Sequence, residues 1–300
     1  MPVDSIEFNF LSIFTFISFF IFFAIEKVFK NTTGVLLDKD FVKPQAFHKN
    51  AVPRVGGLAS ILALTIFIVT YSFLLDQSLI DYLLISIAFF SLGFLDDIKV
   101  KIKPSSRLII MIIVLLLSTN YFSINIENTH LNFLNILLKE KIFQVIFTVL
   151  CFLFIINGSN LIDGFNGLLG IHLITINLIL LFINLIYGES QLAIIITGQL
   201  IVLASFVLFN FPKSKIFFGD SGSYLFGSLV ALNVIKTNNL NPEVSSFFFC
   251  ILLFYLFFEV FFSFFRKILV VRQNPLFPDN KHLHMRIYKF LLKKNYTKES

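Results

Sequence analysis

Nine long apolar runs limit what this chain can fold into. They are Phe8 to Ile25, Val55–Leu75, Leu79–Leu95, Leu108–Phe122, Ile142–Ile156, Leu168–Tyr187, Leu192–Phe209, Tyr224–Ile235 and Phe247–Phe265. A helix that crosses the hydrocarbon core needs roughly 20 residues, and in lipid its backbone polar groups must be satisfied within the segment. Several runs are shorter than that, so their boundaries are soft. The expected fold is all-α, a polytopic integral membrane bundle of about 9–11 transmembrane helices. Hydrophobic residues make up 57% of the 300 and charged ones 14%, with mean hydropathy +0.86. A soluble domain is about half apolar and about a quarter charged, so that class is excluded. The first run follows Asp4 and Glu7 rather than a basic segment and lacks a small-residue cleavage pattern. It reads as a span and not as a cleaved leader. No repeat or linker marks a second domain, so residues 1–300 form one membrane-embedded unit with a basic tail, 286–300, read as a helix lying on the surface.

Charge orients the bundle. With the N-terminus outside, segments 26–54, 96–107, 157–166, 210–222 and 266–300 face inward and hold 21 of the 24 Lys and Arg. Only Lys139, Lys141 and Lys236 remain outside, the asymmetry of the positive-inside rule. The pI of 9.2 follows from a lysine-rich, Phe-rich composition and gives no reason to expect nucleic acid. Cys151 and Cys250 sit in apolar runs without His or Cys neighbours, which makes them small buried hydrophobes rather than a metal site.

The unusual polar clusters gather on the inward side. Asn157, Asn160, Asp163 and Asn166 recur every third residue between two apolar runs, with glycines among them. On a regular helix such steps drift by about 60° each, so the four would spread over half the circumference. A helix end that frays and closes around a polar ligand fits them better. Asp96-Asp97 end the third run, where a helix terminus is already negative. They are either solvated charges balanced by Lys99, Lys101 and Lys103, or a base and metal site. Asp220, in Phe217-Phe218-Gly219-Asp220-Ser221-Gly222-Ser223, is either an N-cap or a hard-cation ligand beside helix N–H groups that attract phosphate. His282 and His284 face one way on an extended chain and, with Lys281 and Arg286, can grip a diphosphate. Surface histidines are the other reading, and zinc lacks a nearby third ligand. Glu259 lies inside the last run and is either functional or paired with a base. Neither a Gly-x-x-x-x-Gly-Lys phosphate loop nor a dinucleotide fingerprint is present.

The motifs also occur in a telling order. Pro53-Arg54-x-Gly56-Gly57 is followed by Gly93-Phe94-Leu95-Asp96-Asp97 and by Asn157-x-x-Asn160-x-x-Asp163-Gly164-x-Asn166-Gly167. Asn210-Phe211-Pro212 with Phe217-Phe218-Gly219-Asp220-x-Gly222-Ser223, and Asp279-x-x-His282-Leu283-His284, complete the set. Together these resemble the polyprenyl-phosphate N-acetylhexosamine-1-phosphate transferases (glycosyl transferase family 4). That family includes undecaprenyl-phosphate GlcNAc-1-phosphate transferases and phospho-N-acetylmuramoyl-pentapeptide transferases. The resemblance covers roughly residues 30–290.

What the resemblance implies is transfer of a sugar 1-phosphate from a UDP-sugar to undecaprenyl phosphate at the cytoplasmic face of a bacterial inner membrane, releasing UMP. It implies Mg²⁺ (or Mn²⁺) held by Asp220 and Asn160, and a catalytic set of Asp96, Asp97 and Asp220. Substrate contacts are expected from Arg54, Lys99, Lys103, Asn157, Asp163, Asn166, Gly219, His282 and His284. The partners are the UDP-sugar, the lipid phosphate and membrane lipid, with no nucleic acid and a second copy of the chain as a candidate. The initiating step of a surface polysaccharide is the expected role, and the muropeptide transferase reaction is the alternative within the family. A nucleotide-sugar or lipid-linked sugar transporter and a non-catalytic scaffold are readings of other classes. Asn166 stands where many relatives carry aspartate, Met285 where they carry histidine, and Glu259 where they tend to carry aspartate.

Overall fold

The computed structural model describes residues 5–30, 36–38, 51–100, 102–272 and 281–294. Asp279 of the last motif and the tail beyond residue 294 lie outside the described residues. Helix α1 runs Ser5–Phe29 and is followed by a two-stranded antiparallel ribbon, β1 Leu37–Asp38 and β2 Val52–Pro53, with Leu37 opposite Pro53. Then come α2 Gly56–Leu75, α3 Ile80–Asp97, α4 Pro104–Tyr121 and a short α5 Asn132–Leu138. The second half holds α6 Lys141–Ile162, α7 Leu168–Ile186, α8 Ser190–Asn210, α9 Gly219–Leu240, α10 Ser246–Leu252, α11 Phe254–Phe265 and α12 Leu283–Lys293, with a wider π turn over Arg266–Val271. The protein is a polytopic helical membrane bundle.

All nine apolar runs are helical, but they do not qualify equally as spans. Six helices, α1, α2, α4, α6, α7 and α8, are long and apolar enough to cross a membrane, and α10 with α11 makes seven if that pair, bent by 67°, is one span. Between nine and eleven were expected. Helix α3 falls outside the set because it carries Asp81, Asp96 and Asp97, and α9 because Ser, Asn and Thr dilute its apolar content. Helix α9 is enclosed by its neighbours, and α3 buries the face with Tyr82, Phe89 and Asp97 against it, which is where polar residues of a span belong.

Helix α9 is the hub, packed against α2, α3, α6, α7 and α8 and buried along almost its whole length. Lipid tails are as apolar as leucine, so helices in a bilayer associate through close packing and interhelical hydrogen bonds. Helix α9 uses both. Its N-terminal turn presses so closely on α2 and α3 that a Cβ at Gly57 would meet the Ser221 side chain, and one at Gly93 the Asp220 backbone. Some 20 Å further along, Asn233 accepts from Tyr82 Oη at 3.0 Å and donates to Asn177 Oδ1 at 3.0 Å and Gln199 Oε1 at 2.7 Å. Asn184 donates to Thr237 Oγ1 at 2.9 Å one turn on. Polar residues therefore do not crowd a single face, as the sequence suggests. A second group runs through the bundle's middle. It is fully buried and its members bond one another, which is the condition for tolerating amides away from water. At the far end Lys236, one of the three outward cations, pairs with Asp81 at 2.5 Å.

Candidate active site

The opposite end of α9 builds a site from three loops and three helices. The β ribbon comes first. Arg54 N–H donates to Leu36 O, Phe217 N–H to Pro53 O, and Gly56 and Gly57 N–H to Phe217 O and Phe218 O, all at 2.8–2.9 Å. This stitching joins the ribbon, the start of α2 and the turn that leads into α9. It holds the Arg54 side chain over the site, where Asp38 fixes the guanidinium through Nε at 3.0 Å and Nη2 at 2.6 Å.

The two adjacent aspartates at the end of α3 have separate roles. Asp97 is 1% exposed and accepts hydrogen bonds from Asp220 N–H (3.0 Å), Ser221 N–H (2.9 Å) and Ser221 Oγ (2.5 Å). It caps α9 from another helix. The sequence reading placed these N–H groups beside Asp220 as a phosphate attractor, but the carboxylate of Asp97 already holds them. Gly219 serves the same contact. Its φ of +76° suits glycine, and a Cβ there would lie 2.5 Å from Asp97 Oδ2. Asp96 points the other way, half-buried and paired with Arg107 Nη1.

Asp220, its side chain 31% exposed, lies 3.8 Å from Arg107 Nη1 and accepts from Asn160 Nδ2 at 3.0 Å. Asn160 also donates to Ser223 Oγ at 3.1 Å. Asp163 follows directly on the last residue of α6. Its carboxyl is raised to about 7, first by desolvation and then by the charge of Asp220, with Arg54 opposing and Asp97 adding to the repulsion. The residue is exposed, so its desolvation is partial and the repulsion from neighbouring carboxylates matters more. Carboxylates that repel one another at one end of α9 are a place where a cation can be held. Among the described residues no three His, Cys, Asp or Glu side chains enclose an ion by themselves. Mg²⁺ does not need such an enclosure, because it takes one or two carboxylates and completes its shell with water and substrate phosphates. Asp220 and Asn160 fit it.

The other expected residues divide. Arg54, Asp96, Asp97, Asn160, Asp163, Gly219 and Asp220 come together. Lys99 and Lys103 are exposed at the rim. Asn157 lies within α6 and turns its amide back to Leu153 O at 2.8 Å, so only half of the four-residue polar set, Asp163 and Asn166, belongs to the frayed end. Asn166 donates to Pro212 O at 3.1 Å, and Gly167 N–H to Asn210 Oδ1 at 2.5 Å, which ties this loop to the one before α9. His282 and His284 are buried rather than presented on an open strand. Glu259 gathers them, accepting from Leu283 N–H at 2.8 Å and standing 3.0 Å from His282 Nδ1 and 3.8 Å from His284 Nδ1. His284 still reaches the site loop, with its ring edge-on to Phe165 at 5.4 Å and its Nε2 against Gly164.

Sequence reasoning did not single out Arg107, Asp38 or Ser221. Arg107 registers in the sequence only as one more inward-facing charge, and the single hint is its place one turn into a helix that Pro104 starts after three lysines.

Comparison with known proteins gives this chain relatives. A model of glycosyl transferase family 4 matches residues 79–238, which reach from the start of α3 into α9 and include Asp96, Asp97, Arg107, Asn160, Asp163 and Asp220. An undecaprenyl-phosphate alpha-N-acetylglucosaminyl 1-phosphate transferase of Thermotoga maritima is 32% identical over 268 residues, 89% of this chain and 77% of that protein. A phospho-N-acetylmuramoyl-pentapeptide-transferase of Staphylococcus aureus is 28% identical over 218 residues, 67% of each chain.

Proposed function

The chain belongs to glycosyl transferase family 4, and from that membership we propose that it transfers an N-acetylhexosamine 1-phosphate from a UDP-sugar to undecaprenyl phosphate, releasing UMP. GlcNAc 1-phosphate is the preferred group, because the T. maritima relative named for it is both more identical and matched over more of the chain than the muropeptide transferase. The observation that carries the reading is the convergence of Asp96, Asp163 and Asp220 with Asn160, Arg54 and Arg107 at one end of α9. Two phosphates from the donor and one from the acceptor must meet there, so a mixed field of carboxylates and guanidinium groups suits the chemistry.

In this reading Asp220 and Asn160 hold Mg²⁺ (or Mn²⁺), which when bound neutralises charge on the diphosphate and on departing UMP. Asp96 is the residue that takes the last proton of the lipid phosphate. That proton is held with a pKa near 6, so position matters more than basicity. Asp97 keeps the first turn of α9, and with it Asp220, in register. Arg54, fixed by Asp38, and Lys99 and Lys103 at the rim screen the incoming anions. His284 shapes the loop of Asp163 and Asn166 on the donor side. The last helix of the chain reaches that loop through His284, α1 starts at the far end of the bundle, where Phe10 packs on Tyr71 of α2, and the gathering of Lys and Arg on the site's side supports an outside N-terminus and a cytoplasmic site in a bacterial inner membrane. The product is the first lipid-linked sugar of a surface polysaccharide.

The test is UMP release by detergent-solubilised protein with undecaprenyl phosphate and a panel of UDP-sugars that includes UDP-GlcNAc and UDP-MurNAc-pentapeptide, with and without Mg²⁺. Metal-dependent UMP with UDP-GlcNAc is the expected result. UMP with the pentapeptide donor alone would move the protein to the other branch, and folded protein that takes up UDP-sugar into proteoliposomes without forming UMP would replace the enzyme with a transporter.

A further inference from the structure

Phosphates entering this site need hydrogen-bond donors, and most of the obvious ones are committed. Asp97 holds the N–H groups of Asp220 and Ser221. Arg54 is bound through Nε and Nη2 to Asp38. The Asn160 amide donates to Asp220 and Ser223. Arg107 differs. Among the described residues its hydrogen bond runs through Nη1, to Asp96, and the same atom makes its nearest approach to Asp220, 3.8 Å from Oδ2. That leaves Nη2 and Nε of the fork open to an anion. Its side chain is 25% exposed, so it can be reached, and its guanidinium carbon lies 5.6 Å from the Tyr224 ring centroid, over a ring that is itself buried. A cation seated on an aromatic face keeps its plane while its edge partners change. Arg107 therefore bridges the carboxylate assigned to the acceptor's proton and the one assigned to the metal.

Resting on the transferase reading, we propose that Arg107 is the phosphate-gripping residue of the site and exchanges partners during the reaction cycle. Without substrate, Nη1 holds Asp96. When a phosphate enters, the fork turns to its oxygens, and Asp96 is released to face the lipid phosphate. The exchange makes and breaks only hydrogen bonds and ion pairs. A planar fork matches two phosphate oxygens with parallel bonds in a fixed geometry, whereas an ammonium group binds as a point charge without that geometry. Arginine, rather than one more lysine like Lys99 or Lys103, is therefore the residue this position calls for.

The experiment compares wild type with Arg107→Lys and Arg107→Ala for kcat and for each substrate's KM, and measures the thermal shift of each protein with Mg²⁺ and inorganic pyrophosphate. The Lys variant is expected to raise KM for at least one phosphate substrate by about tenfold or more, the loss of one charged hydrogen bond, with a smaller change in kcat. The Ala variant is expected to lose about a hundredfold in kcat/KM and to regain part of it with guanidinium ion in the buffer, a rescue that a merely structural arginine would not give. Both variants should lose most of the pyrophosphate shift. Unchanged KM values in the Lys variant together with an unchanged pyrophosphate shift would overturn the proposal, and the Lys variant alone decides it if the Ala variant does not fold. If wild type released no UMP while its pyrophosphate shift still depended on Arg107, the transferase reading would fall and the phosphate grip would stand.

Discussion

Helix α9 carries two polar groups about 20 Å apart, and they obey opposite rules. At its middle, Asn233 and its partners Tyr82, Asn177 and Gln199 are neutral, sealed from solvent and saturated by one another. At its start, Asp220 stands partly open among Asp96, Asp97 and Asp163, and two guanidinium groups do not remove the repulsion among these carboxylates. The first arrangement is complete as it stands. The second leaves like charges facing one another, which the proposed Mg²⁺ and phosphates would balance. A helix in lipid can carry polar groups for assembly or for chemistry, and what distinguishes the two is whether the groups satisfy one another.

The largest effect that would break or support this contrast comes from a pair of substitutions. Asp220→Asn keeps shape but removes the charge proposed to seat the cation, so UMP release should fall by at least about 10²-fold while thermal stability is kept. Asn233→Leu should do the reverse. It leaves Asn177, Gln199 and Tyr82 without their shared partner at a cost of about 1–3 kcal/mol, seen as a lower midpoint in detergent, while kcat of the folded fraction stays within a few-fold. If Asn233→Leu stopped turnover in protein that remained folded, the middle group would have to be counted as part of the chemistry, and the distinction would fail.

Much of this was legible in the sequence, and the reason is physical. Apolar runs report helices because lipid admits little else, and the bias of Lys and Arg to one side collected Asp96, Asp163 and Asp220 before any coordinates. What stayed hidden depended on partners distant in the chain. Asp97 caps Ser221 across 124 positions, and His282 meets Glu259 across 23. Adjacent residues such as Asp96 and Asp97 look alike in sequence, and only packing shows that one is a cap and the other faces the cleft. The middle ladder was missed because single Asn, Gln and Tyr residues scattered over four helices make no local pattern.

A smaller effect tests the open end through pH. Asp163 has its carboxyl raised to about 7, so the folded protein holds that proton where an unfolded chain, with an ordinary aspartate near 4, has lost it. A group with a raised carboxylate pKa lowers stability as pH rises through that interval. In chelator, therefore, Asp163→Asn should raise the melting midpoint relative to wild type at pH 8 and leave it unchanged near pH 4. Adding Mg²⁺ should narrow the difference at pH 8 by compensating the carboxylates that cause it. A difference that ignored both pH and cation would mean that the acidic end is already balanced within the protein, like the ladder.

The smallest expected effect concerns Asn166, one of the three positions where the family resemblance implies a different residue in many relatives. Asn166 is exposed and donates its amide N–H to Pro212 O at 3.1 Å, closing the loop that Asn210 also holds through Gly167 N–H. An aspartate cannot make that bond, because an ionised carboxylate only accepts. Asn166→Asp should therefore loosen the loop by about one neutral hydrogen bond, raising KM for the UDP-sugar by roughly two- to tenfold with kcat little changed. If Asn166→Asp instead raised kcat, the position would belong to the charged, open chemistry of the cleft, and this chain would be a weakened version of its relatives. A rise in KM alone would mean that the chain has turned a charged position into a structural one, and that the catalytic acids are those nearest α9.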